Sequence, residues 1–166
     1  MESMTKILSA LGAVGLMASA PAMAGTSDGS MIVSATVLDN CTIIAQPMSF
    51  GALTDVGSAN VDTTATLALE CTPNADFFVS MNNGANADGS VRRMKNAAGD
   101  EFLPYEVYSD AARAQRWGVT EGTDTVAGTA SVLGTATLTA YGRIASGTSS
   151  PSAGVYTDTV TVTVNF

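Results

Sequence analysis

The run Gly154-Val155-Tyr156-Thr157-Asp158-Thr159-Val160-Thr161-Val162-Thr163-Val164-Asn165-Phe166 decides the fold. From Tyr156 onward the even positions read Tyr, Asp, Val, Val, Val, Phe, and the odd ones Thr, Thr, Thr, Thr, Asn. A period of two predicts a β-strand with one apolar face and one hydroxyl-bearing face. Val, Thr, Tyr and Phe also suit a half-buried pleated surface. The run ends at Phe166, so no turn and no return strand follow it. A strand of this length must find its neighbours elsewhere.

At the other end the sequence reads as a secretion signal. Lys6 supplies a positive start, Ile7 to Ala20 is an uncharged apolar run, and Ala22-Met23-Ala24 is an A-x-A cleavage site. Residues 1–24 are therefore expected to be a signal peptide, with Gly25 as the mature start. Fourteen apolar residues fall short of the ~20 that span a bilayer, and no transmembrane segment is expected in the mature chain.

The remaining chain of about 140 residues fits one domain. Glu2 and Lys6 cancel, so it keeps the net charge of −8, opposite to the basic footprint that nucleic acid requires. Histidine, the commonest general base and metal ligand, is missing altogether. Cys41 and Cys71, in a chain bound for an oxidising compartment, predict one structural disulfide. Two cysteines are too few for a metal centre.

In chain order, Met31–Leu38 alternates like a strand, with Met31, Val33, Ala35 and Val37 on one face. Cys41–Ala45 is a second strand, stopped by Pro47, and the stretch from Phe50 to Asn60 is connection. Thr63–Thr72 turns Ala65, Leu67, Leu69 and Cys71 one way and Thr64, Thr66, Ala68 and Glu70 the other. Further strands are expected at Phe77–Met81, Val91–Lys95, Phe102–Tyr108 and Thr135–Ile144. Asn82-Asn83-Gly84 reads as a hairpin turn, Ser109–Arg116 as one turn of helix at most, and Val119–Thr129 as loop. Short strands without a convincing long helix predict a single all-β sandwich.

Chemistry is sparse. The aspartates lie in turns, where they commonly shape backbone, and neither catalytic residues nor a cofactor site is expected. Arg92, Arg93 and Lys95 form the only basic cluster, read as solvated. Trp117, Tyr105 and Tyr108 could stack on sugar rings, although core or rim positions suit them better. The mismatch at the two ends is more informative. A final strand without a successor, and an apolar strand behind a short polar stub, are the parts of a strand-exchange device. A long apolar strand edge invites aggregation unless something pairs with it.

Several of these residues together resemble a known family. Cys41, Phe50-Gly51, Leu67 to Cys71, Arg93-Met94-Lys95-Asn96, the run Tyr105-Glu106-Val107-Tyr108-Ser109-Asp110-Ala111-Ala112-Arg113, Trp117-Gly118 and the stretch from Gly154 to Phe166 are similar to the spore coat protein U domain. More closely, they resemble Csu-type major pilins of archaic chaperone–usher pili. The resemblance covers essentially the whole mature chain.

It implies an incomplete immunoglobulin-like β-sandwich whose missing seventh strand is supplied by donor-strand exchange. A periplasmic chaperone would fill the groove first, and the N-terminal segment of a neighbouring pilin would then replace it at an outer-membrane usher. The product would be a homopolymeric pilus on a Gram-negative surface, serving adhesion and biofilm formation. Carried over onto this chain, Gly29, Met31, Val33, Ala35 and Val37 (within residues 25–38) form the donor strand. Tyr156, Val160, Val162, Val164 and Phe166 belong to the acceptor edge of the sandwich, residues 39–166. Tip adhesins of such systems normally carry a further receptor-binding domain, so a shaft subunit is expected. The alternatives are a self-complete secreted coat or matrix protein and a carbohydrate-binding module.

Overall fold

A computed structural model describes residues 23–166. The signal sequence expected at residues 1–24 thus lies outside the described residues up to Ala22. The chain divides between Ala35 and Thr36 into two units. In the first, residues 23–35 form no strand, and Met31 and Val33 are each 86% exposed. In the second, Val37 and Leu38 are likewise exposed and outside any strand. The strand expected at Met31–Leu38 is therefore not formed. Alternation specifies which face a strand would bury, but a strand exists only where a second backbone completes its hydrogen bonds.

The second unit is all β. Its strands are β1 (Cys41–Ala45), β2 (Val61–Cys71), β3 (Asp76–Met81), β4 (Arg92–Asn96), β5 (Phe102–Tyr108), β6 (Val126–Thr129), β7 (Thr135–Ile144), β8 (Tyr156–Thr157) and β9 (Val162–Asn165). A six-stranded sheet has the order β1-β2-β7-β5-β4-β8, and a three-stranded sheet the order β6-β3-β9. Every pairing is antiparallel. Leu67 and Leu69 of β2, Val107 of β5, and Ala140 and Ile144 of β7 bury one face of the larger sheet. Phe77, Val79 and Met81 of β3 bury the facing side of the smaller one. The core lies between the sheets, as a two-layer sandwich requires.

The expected alternation of β2 holds in detail: Leu67 and Leu69 are buried while Thr64, Thr66, Ala68 and Glu70 are exposed. Strand β7 begins and ends where its pattern does, at Thr135 and Ile144. Pro104 sits in the half of β5 that pairs with β4 alone, because β7 reaches only Glu106 to Tyr108. A residue without an N–H belongs at such a position.

Three further expectations fail. Val119–Thr129 is not all loop, since its last four residues form β6 against β3. Asn82-Asn83-Gly84 is not a hairpin turn but the crossing from the smaller sheet to the larger. The tight turn lies further on, where Asp88 and Val91 pair across Gly89-Ser90. The third failure concerns the final run. It is not one strand, because β8 pairs with β4 in the large sheet while β9 pairs with β3 in the small one. Asp158 marks the break. Its carboxylate accepts from the Tyr105 hydroxyl (2.8 Å), the Asn86 backbone N–H (3.0 Å) and the Asn86 side-chain amide (3.1 Å). A polar group turned inward among apolar neighbours needs such partners, and they lie where the chain changes sheets. Gly84 has φ +86°, and a Cβ there would collide with this carboxylate, so the crossing requires glycine.

Candidate functional site

Among the described residues four strands pair on one side only: β6 and β8, and also β1 and β9, which lie against each other. A cleft of about 400 Å³ opens near these edges, between the segment Ala45–Phe50 that follows β1 and the run Tyr156–Val162. Met48, Phe50, Leu67, Met81, Met94, Tyr105, Val107 and Ala140 complete its lining. The Phe50 ring meets Tyr105 edge-on, with centroids 6.2 Å apart.

The backbone along one wall is committed on one side. The carbonyls of Thr157, Thr159 and Thr161 accept from the Asn86 side chain (3.2 Å), Ala85 N–H (3.0 Å) and Asn82 N–H (3.1 Å) respectively. Successive peptide groups of an extended chain face opposite ways. The intervening groups at Asp158 and Val160 therefore turn away from those partners, and both residues line the cleft. What results is an apolar trough bordered by backbone donors and acceptors, the surface an additional β-strand requires.

Of the acceptor residues named from the sequence, Tyr156, Val160 and Val162 line this cleft. Val164 packs against the core without lining it. Phe166 lines a different cleft of about 540 Å³, with Asp76, Phe77 and Phe78. Val162 opens β9 and Phe166 follows its last residue, so the two clefts are separated along that strand. Met48, Phe50 and the methionines Met81 and Met94 were not anticipated. A Met-x-Phe pair after Pro47, inside a stretch otherwise read as connection, was the available signal.

The disulfide joins Cys41 and Cys71, which are directly opposed in the β1–β2 register with Cα atoms 4.0 Å apart. Below it, Thr72 Oγ1 accepts from Asn40 N–H (3.0 Å) and donates to the Leu38 carbonyl (3.5 Å). The chain is thus pinned where it enters the sandwich.

The basic cluster expected to be solvated contains the most buried charged side chain among the described residues. Arg92 has 0% of its side chain exposed and forms an ion pair with Glu106. Its guanidinium donates to the carbonyls of Asn82 (2.7 and 3.0 Å), Met81 (3.1 Å) and Trp117 (2.7 Å). Arg116 holds the other oxygen of Glu106 at 2.8 Å. Burial pushes the Arg92 guanidinium below its ordinary value, while Glu106 raises it. Arg93 and Lys95 do lie toward solvent, paired with Asp88 and Asp100, with Arg93 also over the Phe102 ring. Trp117 is fully buried and donates its indole N–H to the Val79 carbonyl (2.8 Å), so sugar stacking by Trp117 is excluded. Ser109–Arg116 is a turn without helix, capped by Asp110, which accepts from Ala114 and Gln115 N–H.

On the outer face of β2 and β7, Arg143 grips Asp62 with two bonds of 2.7 and 2.8 Å. Arg113 adds its charge at 3.3 Å. The Arg143 hydrogen bond, more than the charges, holds the Asp62 carboxyl below its usual range. A carboxylate depressed by folding contributes stability above its unfolded pKa of about 3.9, and that contribution is lost as pH falls through the lower folded value. Urea titrations between pH 6 and pH 2 should therefore lose less stability in Asp62→Asn than in the parent. Parallel acid limbs would mean that the pairing contributes nothing.

The geometry defines a β-sandwich class: two sheets, one cross-strand disulfide and an open apolar groove. Comparison with known proteins identifies the family. The Spore Coat Protein U domain matches residues 27–163, and this chain belongs to that family. It is 30% identical to Protein U of Myxococcus xanthus over 180 residues, covering 98% of this chain and 97% of that one. Among solved structures it is similar to a chain in the CsuC-CsuE chaperone-tip adhesion subunit pre-assembly complex from archaic chaperone-usher Csu pili of Acinetobacter baumannii. The TM-score is 0.58 and the identity 26%, covering 79% of this chain and 41% of that one. This chain thus spans about two-fifths of the length of that solved neighbour. The fold is an immunoglobulin-like sandwich lacking a strand.

Proposed function

We propose that this chain is a pilus subunit that polymerises by donor-strand complementation into a secreted surface fibre serving adhesion and biofilm formation. The open groove along Tyr156–Val162 is the observation that carries the reading. It offers apolar side chains and turned-out backbone groups together, and those two features are what an inserted strand consumes. The donor is the mature N-terminal segment, residues 25–38, whose Met31, Val33, Ala35 and Val37 alternate in phase behind Gly29. Fully burying Met31, Val33 and Val37 gives roughly 1.5–3 kcal/mol each, less the entropy of ordering the segment.

The likeness to a chaperone–subunit complex supports a periplasmic chaperone as the first occupant of the groove. A second copy of this chain replaces it, at an outer-membrane usher of a Gram-negative cell. Residues 1–24 direct the chain to that route. No catalytic step is part of this reading. A self-complete coat protein fits less well, because the groove would then need an occupant from its own chain while residues 31–38 form no strand.

The test is deletion of Gly25–Val37. The truncated chain should fold and bind its chaperone yet form no fibres in electron micrographs of cells that carry the whole system. Fibres of normal length from the deletion would rule the reading out. Val160→Arg, which puts a charge in the groove of an otherwise intact chain, should also stop assembly.

A further inference from the structure

The turn between β6 and β7 carries two of the most exposed large apolar side chains of the sandwich. Val132 is 76% and Leu133 83% exposed. Exposed apolar residues on a loose loop need no explanation, but this turn is held firmly. Ser131 Oγ accepts from Leu133 N–H (3.2 Å) and Thr135 N–H (3.1 Å) and pairs with the Thr135 hydroxyl (3.0 Å). The Ser131 carbonyl takes Gly134 N–H (2.8 Å) and Asn74 N–H (3.2 Å). Gly134 has φ +78°, and its carbonyl accepts from Cys71 N–H at 2.6 Å. A Cβ at Gly134 would run into the Cys71 carbonyl. The fold thus spends a left-handed glycine and several hydrogen bonds on a rigid mount for two side chains that face water.

The location of the turn identifies what covers it. Cys71, to which the turn is bonded, is joined through its sulfur to Cys41. Immediately before Cys41, Leu38 and Asn40 are tied to Thr72. The turn therefore stands where the N-terminal segment leaves the sandwich. If that segment lies in the groove of a second copy, as the proposed function has it, only Leu38, Asp39 and Asn40 separate Val37 in that groove from Cys41. Four residue steps extend to at most about 14 Å. The second copy must then abut the end of the molecule that carries Val132 and Leu133.

We propose that Val132 and Leu133 form a docking knob against the adjacent copy of this chain, a contact additional to strand exchange that fixes the angle between neighbouring subunits. The inference rests on the strand-exchange reading, and it concerns a surface outside the groove. A contiguous exposed apolar patch is a mark of an interaction surface, and the short tether sets the occupant of this one.

Hydroxyl-radical footprinting with mass spectrometry of the full mature chain, unassembled and in fibres, tests it. Val132 and Leu133 should lose labelling about fivefold or more on assembly, as buried apolar contacts exclude solvent. Val119, exposed in the unassembled chain and remote from the tether in sequence, should change little. The double variant Val132→Ser with Leu133→Ser should still exchange strands, while its fibres fragment about tenfold faster, since lost contacts act mainly on dissociation. Equal labelling of Leu133 in both states, or double-variant fibres as durable as the parent's, would overturn the knob. Failure of the parent chain to form fibres at all would instead overturn the strand-exchange reading beneath it.

Discussion

Replacing Arg92 with leucine should cost about 3–5 kcal/mol of folding stability, because it removes one partner of a buried ion pair and strands its hydrogen-bond acceptors. The carbonyls of Met81, Asn82 and Trp117 converge on its guanidinium. They belong to the end of β3, the sheet crossing after it, and the stretch following β5. Leucine fills part of the volume and satisfies none of them. Glu106 would keep Arg116 and its own bond from Val107 N–H, so the loss falls mainly on the carbonyls.

Lysine keeps the charge, but a single ammonium cannot reach four acceptors arranged for a planar fork. Arg92→Lys should therefore recover only part of the loss. Small domains hold about 5–15 kcal/mol in total, so Arg92→Leu should move the urea midpoint down by about 2 M, given slopes of about 1–3 kcal/mol per molar. A shift below about 0.5 M would show that the network is dispensable to the fold.

Removing the disulfide should be of similar size. The cross-link closes a loop of 30 residues, which in the chain-entropy model restrains the unfolded state by roughly 3.5 kcal/mol. Strand β1 has no partner other than β2, so it depends on this bond more than an interior strand would. The Cys41→Ser, Cys71→Ser double variant and the parent treated with reductant should agree with each other in urea titration, and both should fall well below the oxidised parent. Because β1 leads into one wall of the groove, the reduced protein should also bind a peptide of residues 25–38 more weakly. Coincident curves for oxidised and reduced protein would eliminate the disulfide as a stabiliser.

Much of the architecture is legible in the sequence because period-two patterning maps directly onto a buried face. The Leu67–Leu69 row of β2 and the limits of β7 follow from it alone. The misreadings share a physical cause: alternation reports a face and says nothing of which sheet a strand joins. Tyr156 to Phe166 keeps its pattern while crossing from one sheet to the other. Its only irregularity in sequence is Asp158, an acid in an otherwise apolar row. Residue type alone places Arg92 in solvent, since the three carbonyls that draw it inward come from other segments of the chain. Met31–Leu38 has the pattern of a strand and no ladder. For the candidate groove, Tyr156, Val160 and Val162 were accessible through family resemblance. Met48 with Phe50, Met81 and Met94 come from three separate parts of the chain, and only the tertiary fold brings them together.

The position of the disulfide has a mechanical consequence. Tension drawn along the N-terminal segment enters the sandwich at Cys41, the first residue of β1. Without the cross-link, the load would fall on the five-residue ladder of β1 against β2. With it, force crosses two sulfur atoms into Cys71 and onto β2, an interior strand paired along nearly its whole length with β7. The load is then borne by a ladder of ten residue pairs instead of five. One covalent bond, placed at the point where the chain is pulled, passes the strain from an edge strand to an interior one.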